Sequence, residues 1–320
     1  MRVSVLIPSF NHADYICRAI ESATSSATLD IEVIVVDDGS TDDTRERLEK
    51  YDSDPRIRTE YQTNHGAHVA LNRAIDLASG EFISILNSDD TYQADRLPRL
   101  IKEFVNRRDS VIATSWIQII DDKGNNLGVK KGWQNLPPWP PSSPGPYLSD
   151  LSDPTLALLE TNFISTTSNL VFRRELVTEH GLQFRPLRYA HDWDFALSAS
   201  HHGSVIVVPD PLVNYRVHGS NTIREGTENS VGDMRFEILW VVARHALSVL
   251  RTKAGEKESL GKLLRLARNS MPTFGRRDIL DELLLIRGAS DEPPVAFMHL
   301  LDPLNSFREA CIRALAVTPD

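Results

Sequence analysis

Short apolar segments alternate with amphipathic segments along the first third of the chain. Four apolar segments have the length of buried strands, and they are residues 3–7, 31–36, 57–61 and 81–86. Each precedes a segment whose apolar residues recur at helical spacing, and these are residues 12–26, 41–51, 67–79 and 93–107. Ser40 stands before the second such segment, with Asp43 three residues on, as in an N-cap. The alternation predicts an α/β fold with a mostly parallel sheet, right-handed crossovers and flanking helices.

The second half of the chain has a less regular pattern. Apolar segments predict further strands, and a helix is predicted between the last two of them; the strands are residues 110–120, 168–173 and 204–208, and the helix is residues 190–202. Residues 132–146 are rich in proline and hold two tryptophans, which is typical of an irregular loop. From residue 229 to the end the pattern is helical, with leucines at helical spacing.

Acidic side chains follow the second and fourth strands. The sequence IVVDDGSTDDT places Asp37 and Asp38 after one strand, and NSDD, residues 87–90, follows the other. Ligands of an open parallel sheet bind outside the carboxyl ends of its strands. A carboxylate there can accept hydrogen bonds from a base or a ribose, and it can hold a hard divalent cation. Because the chain has neither a GxGxxG dinucleotide fingerprint nor a GxxxxGK[ST] phosphate loop, these acids are its candidate nucleotide ligands.

Composition narrows the class of protein. The chain has 320 residues, of which 41% are hydrophobic and 25% charged, so it can bury a sizeable core. Its formal net charge of −9 argues against nucleic acid as the main partner. The two cysteines, Cys17 and Cys311, have no metal or redox spacing and fit a reducing compartment. No apolar run is long enough for a transmembrane helix, and the N-terminus is typical of a buried strand more than of a signal peptide.

Six ordered motifs resemble those of family 2 glycosyltransferases. They are VSVLIPSFNHADYI, VIVVDDGSTDDT, NHGAHVALNRAIDLASGEFISILNSDD, SNLVFRREL, HDWDFAL and YRVHGSNT, and they span about residues 1–225. One DD pair would be weak evidence, whereas six motifs in the family's order are specific. The resemblance implies a GT-A fold, a Rossmann-like, mostly parallel sheet flanked by helices, here with a C-terminal helical extension.

The resemblance also implies where the donor and a metal ion bind. Asp38 resembles the acid that accepts from the base N–H, and Asp37 is structural or reaches the ribose. NSDD resembles the family's DxDD, with Asn87 in place of an aspartate. The residues implied for nucleotide binding are Pro8, Ser9, Phe10, Asp38, Asn87 and Asp89. Those implied as ligands of Mn²⁺ or Mg²⁺ are Asp89, Asp90 and His218.

Asp192 in HDWDFAL resembles the general base of the family, and His191 replaces the glutamate that usually precedes it. A single base that deprotonates the acceptor hydroxyl for in-line attack implies inversion at the anomeric carbon. Asp194, two residues on, is the competing candidate for the base. The structural alternative for the acids after the strands is capping of the helices that follow them.

Together these features predict an inverting, metal-dependent glycosyltransferase. The expected donor is a UDP- or dTDP-sugar, and the expected acceptor is a saccharide or a lipid-linked saccharide in cell-surface polysaccharide synthesis. We expect it in the cytoplasm or at the inner face of the membrane. One alternative is a non-catalytic nucleotide-sugar-binding module. The replacement of acidic motif residues by Asn87 and His191 is consistent with that alternative. Another is a sugar nucleotidyltransferase, although PSFNHAD lacks the glycine-rich phosphate loop expected of one.

The predicted domains are a catalytic domain and a helical region. Residues 1–228 form the catalytic domain, with a nucleotide-sugar half at 1–109 and an acceptor half at 110–228, and residues 229–320 form the helical region. In this region ESLGKLLRLAR and RRDILDELLLIR each place apolar residues on one helix face, which must be buried. The first expectation is packing on the catalytic domain; a homodimer and a peripheral membrane contact are the alternatives.

Overall fold

One mixed sheet of nine strands organises the part of the chain that the structure describes. The structure, a computed structural model, describes residues 1–132, 134, 136–139, 157–159, 161–219, 221, 228–253, 275–288 and 295–316. The strands are β1 Arg2–Ser9, β2 Asp30–Asp37, β3 Ile57–Tyr61, β4 Phe82–Ile85, β5 Thr91–Tyr92, β6 Ser110–Asp121, β7 Asn126–Lys130, β8 Val171–Arg173 and β9 Ser204–Val217. Their order is β3-β2-β1-β4-β8-β6-β9-β5, and β7 pairs with β6.

The two halves of the sheet differ in strand direction. In the first half, β3, β2, β1 and β4 are all parallel, as the alternating pattern predicts. In the second half, β8 is antiparallel to both of its neighbours, and only β6 and β9 are parallel. β5 and β7 complete this half of the sheet, where they pair antiparallel with β9 and β6, respectively. The predicted mostly parallel α/β fold is therefore confirmed.

Ten α-helices connect or flank the strands within the described residues. They are α1 Ile16–Ala23, α2 Thr44–Glu49, α3 Ala67–Leu77, α4 Arg96–Asn106, α5 Glu175–Thr178, α6 His191–Ala199, α7 Glu228–Lys253, α8 Arg277–Arg287, α9 Val295–Met298 and α10 Ser306–Ala316. The predicted N-cap was wrong, because α2 begins only at Thr44 and its N-cap residue is Asp43. The Ser40 hydroxyl instead donates a hydrogen bond to Asp37 at the end of β2.

Strand β9 is much longer than the predicted segment 204–208. Two prolines at positions 209 and 211 argue against a continuous strand in the sequence, since proline cannot donate to a ladder. The sheet accommodates them through a shift of register, in which Pro211 lies opposite Trp116 and pairing then continues to Asp121 and Val217. The short strands β5 and β7 were not predicted. β5 pairs with β9, which is distant in sequence, and β7 pairs with β6 across a turn.

Apolar side chains cover both faces of the sheet. In one layer α1 and α4 share a core with β1, β2 and β9, and α4 packs on β6 and β9; Ile16 and Leu100 are fully buried there. The other layer contains α3, α6 and the C-terminal helices in one continuous core, in which Trp240 of α7 and Leu283 of α8 are fully buried. The C-terminal helices therefore complete the core over one face of the sheet.

The predicted apolar face of RRDILDELLLIR is buried as expected. Ile279, Leu280 and Leu283 belong to the core, and Ile286 packs against it. α8 packs on α7, which in turn contacts α6, so the described C-terminal helices pack on the catalytic domain through α7; the segment ESLGKLLRLAR lies outside the described residues. Homodimer formation and membrane contact stay predictions. Among the helices that are described, none is both long and apolar enough to cross a bilayer.

Candidate active site

A cleft of about 570 Å³ opens at the carboxyl ends of the parallel strands. The six residues predicted to bind nucleotide all line it, and they are Pro8, Ser9, Phe10, Asp38, Asn87 and Asp89. They come from the carboxyl end of β1 and from the segments that follow β1, β2 and β4, which are neighbours in the sheet. Phe10 is 42% exposed, so its ring is available to a planar ligand. The cleft has the position that nucleotides occupy in open parallel sheets.

Asp38 organises the loop on one side of this cleft. Its Oδ1 accepts hydrogen bonds from Gln62 Nε2 at 2.7 Å and from the His65 N–H at 2.9 Å. Its Oδ2 accepts from the Gly66 N–H at 2.8 Å. A carboxylate has about four acceptor positions, so three protein donors leave room for one ligand N–H. The neighbouring Asp37 accepts hydrogen bonds from the N–H and the hydroxyl of Ser40. Burial raises the pKa of the Asp37 carboxyl.

Asp90 does not line the cleft, although it was predicted as a metal ligand. It is 1% exposed, and its Oδ2 accepts from Ser168 Oγ at 2.6 Å while Oδ1 accepts from the Arg216 N–H at 2.9 Å. Burial and the neighbouring charge of Asp89 raise the pKa of Asp90 well above its ordinary value. Both carboxylate oxygens are thus engaged in joining β9 and the turn at Ser168 to the end of β4.

His12, Asp89 and His218 converge at the edge of the cleft. Each offers one potential ligand atom, and these three atoms lie within 4.8 Å of one another. His218 Nε2 is 3.0 Å from Asp89 Oδ2. His12, which was not predicted, is the third member of this cluster. Burial lowers the pKa of His12, which favours the neutral imidazole, the form that can bind a metal.

The predicted base Asp192 lies in the first turn of α6. It is 5% exposed, and its Oδ1 accepts from the Trp193 N–H at 2.7 Å and from Asn162 Nδ2 at 3.3 Å. Burial raises the pKa of Asp192, which moves it toward the range useful to a general base. The adjacent His191 lines the cleft and lies 3.0 Å from Thr167 Oγ1.

Asp194, the competing candidate, is surrounded by cations. Its Oδ1 accepts from Arg244 and lies 2.9 Å from His245 Nε2, and Oδ2 is 3.8 Å from Arg185. It is completely buried, and its cationic neighbours, above all Arg244, hold the pKa of Asp194 far below its usual range. A carboxylate so strongly stabilised in its ionised form is a poor proton acceptor. Its partners on α7 give it a structural role.

These features define an α/β protein with a cleft at the carboxyl ends of its parallel strands, and sequence comparison then identifies the class. A profile of the family described as Glycosyl transferase family 2 matches residues 4–181. The match covers more than half of the chain. The protein therefore belongs to glycosyl transferase family 2.

Curated relatives bear related names. An uncharacterised glycosyltransferase of Nostoc sp. is 31% identical over 227 residues, which are 69% of this chain and 66% of the relative. The putative glycosyltransferase EpsH of Bacillus subtilis is 29% identical over 230 residues, 69% of this chain and 62% of EpsH. Chondroitin synthase of Escherichia coli is 39% identical over 134 residues, 41% of this chain and 19% of that enzyme. The chain thus spans less than two thirds of the length of these relatives.

A solved structure has the same fold over almost the whole chain. The crystal structure of residues 1–349 of S. aureus TarS in complex with UDP superimposes with a TM-score of 0.60. The alignment covers 99% of this chain and 88% of the TarS chain, at 20% sequence identity. The same TarS fragment in complex with UDP-GlcNAc gives a TM-score of 0.57, also at 20% identity, covering 99% of this chain and 90% of that chain. At this identity the likeness establishes the fold alone.

Proposed function

We propose that the protein is an inverting, metal-assisted glycosyltransferase that uses a UDP- or dTDP-sugar. The observation that carries this proposal is the cleft, which gathers all six predicted nucleotide residues at one sheet edge in a member of glycosyl transferase family 2. Exposed Phe10 suits stacking on the base, and Asp38 keeps one acceptor position for its N–H. Asn87 supplies an amide for the ribose.

In this proposal Asp89 and His218 hold a divalent cation. Their facing atoms are 3.0 Å apart, the separation of adjacent ligands on one ion, and a carboxylate with an imidazole is a suitable donor set. When bound, the ion would neutralise charge that develops on the departing diphosphate. Asp90, which is buried and does not line the cleft, supports this site by fixing Ser168 and Arg216.

Asp192 is the proposed general base. It would accept the proton of the acceptor hydroxyl as that oxygen attacks the anomeric carbon on the face opposite the diphosphate. The carbon–oxygen bond to the diphosphate breaks with its electron pair, so one displacement inverts the configuration. Asn162 and the Trp193 N–H orient the Asp192 carboxylate. The contacts of Asp194 with Arg244 and His245 of α7 support the choice of Asp192 over Asp194.

The acceptor is proposed to be a growing saccharide, free or lipid-linked, in the assembly of a surface polysaccharide. Support comes from the names of relatives, which include chondroitin synthase and a putative teichuronic acid biosynthesis glycosyltransferase. UDP and UDP-GlcNAc in the TarS complexes support a uridine nucleotide. Neither cysteine, Cys17 or Cys311, is in a disulfide, which suits the cytoplasm.

Thermal stabilisation of the purified chain by a panel of sugar nucleotides, with and without Mn²⁺, tests donor binding. A true donor should raise the melting temperature, because it binds the native state. Transfer of a labelled sugar from that donor to saccharide acceptors then tests the reaction, and the product should have inverted configuration. Binding without hydrolysis or transfer would support a non-catalytic module instead. Formation of a sugar nucleotide from a sugar phosphate and a nucleoside triphosphate would indicate a nucleotidyltransferase.

A further inference from the structure

Three segments that are distant in sequence contribute to the cluster at the edge of the cleft. His12 follows β1, Asp89 follows β4 and His218 follows β9. Their potential ligand atoms lie within 4.8 Å of one another, and the Asp89 and His218 atoms are already 3.0 Å apart. Ligands bound at about 2.1 Å to one ion lie at separations of this order. A small movement of His12 would therefore complete a three-ligand site.

The two imidazoles are held in place by their surroundings. His12 Nδ1 is 2.7 Å from Ser88 Oγ, so when Nδ1 donates to that hydroxyl, Nε2 retains the lone pair that a metal needs. The Tyr15 ring packs at 4.9 Å from the His218 ring and 5.9 Å from the His12 ring. The His218 N–H donates to Asn221, which also anchors the backbone at Arg216. Outer partners of this kind orient metal-binding histidines.

We infer that His12, Asp89 and His218 form a two-histidine, one-carboxylate metal site that selects a first-row transition-metal ion over Mg²⁺. The inference deepens the proposed function and rests on it for the role of the ion, although not for its binding. Imidazole nitrogens favour transition metals, whereas Mg²⁺ prefers an octahedron of oxygens. Asn87 stands where the acidic motif has an aspartate, so the motif has one charged oxygen ligand fewer. Asp90 accepts hydrogen bonds from Ser168 and from the Arg216 N–H. The missing oxygen donors are replaced by the nitrogen of His12.

The site should also take up the ion before the nucleotide. Three protein ligands are enough to hold a transition metal with open positions, as in catalytic zinc sites. Diphosphate oxygens would then fill those open positions. A site made from one carboxylate alone would depend on the nucleotide to retain its ion.

Cobalt(II) is a suitable probe because its visible absorption reports the coordination of the ion directly. Metal-free protein without nucleotide should develop this absorption on titration with Co²⁺, and Mn²⁺ should displace Co²⁺ at lower concentrations than Mg²⁺ does. His12→Ala should weaken Co²⁺ binding by at least about tenfold, since loss of even an outer-shell partner costs about 10- to 100-fold. His68→Ala is the matched control, because His68 lines the same cleft but is outside the cluster. It should bind Co²⁺ as the unaltered protein does.

His12→Asn is the control for a folding defect. The asparagine amide can still form a hydrogen bond with Ser88, although the imidazole is lost. Both His12 variants should melt like the unaltered protein in the absence of metal. Equal Co²⁺ affinity in His12→Asn and the unaltered chain would overturn the inference, as would a preference for Mg²⁺ or binding only with UDP. Sugar transfer is assayed separately. Transfer without the predicted Co²⁺ site refutes only this inference, and a Co²⁺ site without nucleotide binding refutes only the proposed function.

Discussion

Asp192 and Asp194 stand two residues apart on α6, and their surroundings shift their pKa values in opposite directions. Burial raises the pKa of Asp192, whose neighbours are neutral hydrogen-bond donors and His191. Arg244, His245 and Arg185 lower the pKa of Asp194 despite its complete burial. The same residue type thus gives, within one helical turn, one carboxyl whose protonated form is favoured and one whose ionised form is favoured.

Asp192→Asn should abolish most of the transfer activity while leaving donor binding intact. General-base catalysis contributes about 10²- to 10⁴-fold, so turnover should fall at least about 10²-fold. Because the pKa of Asp192 is raised, the acidic limb of the rate profile should lie above the ordinary range of aspartate. Initial rates across pH and calorimetry with UDP measure both effects. Turnover of Asp192→Asn equal to that of the unaltered protein would remove Asp192 from the mechanism.

Asp194→Asn, on the same helix, should affect the stability of the fold, in contrast to Asp192→Asn. It removes one partner of a buried ion pair and leaves Arg244 and Arg185 uncompensated, which costs about 3–5 kcal/mol. The melting temperature should therefore fall clearly, whereas that of Asp192→Asn should change little. An unaltered melting temperature in Asp194→Asn would show that the ion cluster does not stabilise the fold.

His245 makes the stability of this cluster depend on pH. Burial lowers the pKa of His245 to about 4, against an ordinary value of 6.5. Between those values the unfolded chain binds a proton that the folded protein does not, so stability falls as the pH falls from about 6.5 to 4. His201 and Arg244, which face His245, act in the same direction on its pKa, and Asp194 opposes them.

His245→Gln should reduce that dependence on pH. The amide can still donate a hydrogen bond to Asp194, but it does not titrate. Melting temperatures measured between about pH 4 and 7 should therefore fall less steeply for the variant than for the unaltered protein. Other histidines with lowered pKa values contribute the remaining slope, and they are His12, His68, His201 and His202. Identical slopes in the two proteins would contradict the assignment.

At the scale of elements, α7 positions the helix that carries the candidate base. Glu237 of α7 is 3% exposed, and its carboxylate accepts from the N–H groups of Arg188, Tyr189 and Ala190 at 2.7–3.1 Å. These N–H groups directly precede α6. A carboxylate from a distant helix thus fixes the segment that leads into α6, whose own N-cap residue makes no side-chain hydrogen bond. The position of Asp192 depends on this contact.

Glu237→Ala should lower turnover more than donor affinity. Three N–H groups lose their acceptor, and an N–H left unpaired away from water, as at buried Ala190, costs about 1–3 kcal/mol. Glu237→Gln keeps an acceptor oxygen and should restore part of the activity. Glu309→Ala, at an exposed i,i+4 pair with Arg313, is the matched control and should have no effect. Equal losses of turnover in the alanine and glutamine variants would contradict a positioning role for the acceptor oxygen.

At the scale of the whole molecule, the C-terminal helices are part of the folding unit. Phe236, Leu239 and Trp240 of α7 are fully buried in the same core as the sheet and α6. A chain ending at residue 228 should be insoluble or unfolded, because it exposes that core and leaves Asp194 without Arg244 and His245. Soluble yield and size-exclusion chromatography measure this outcome. A soluble, monomeric and active 1–228 chain would show that the helices are separable.

The sequence alone determined the α/β architecture and the edge of the sheet where ligands bind. Alternating apolar and amphipathic segments specify parallel strands, and the residues after parallel strands must meet at one edge. Pro8 lies at the end of such a strand, and Asp38 and Asn87 follow such strands, so their place in one cleft follows from the sequence pattern. These inferences needed only local patterns and chain order.

Only the tertiary structure decided which side chains face that cleft. Asp89 points to His218 while the adjacent Asp90 is buried against Ser168, because side-chain direction in a loop after a strand follows no fixed period. His12 reaches Asp89 only because β1 and β4 are neighbours in the sheet. Glu237 and Asp194 acquired their roles from contacts between helices far apart in sequence, and such contacts leave no local pattern to detect.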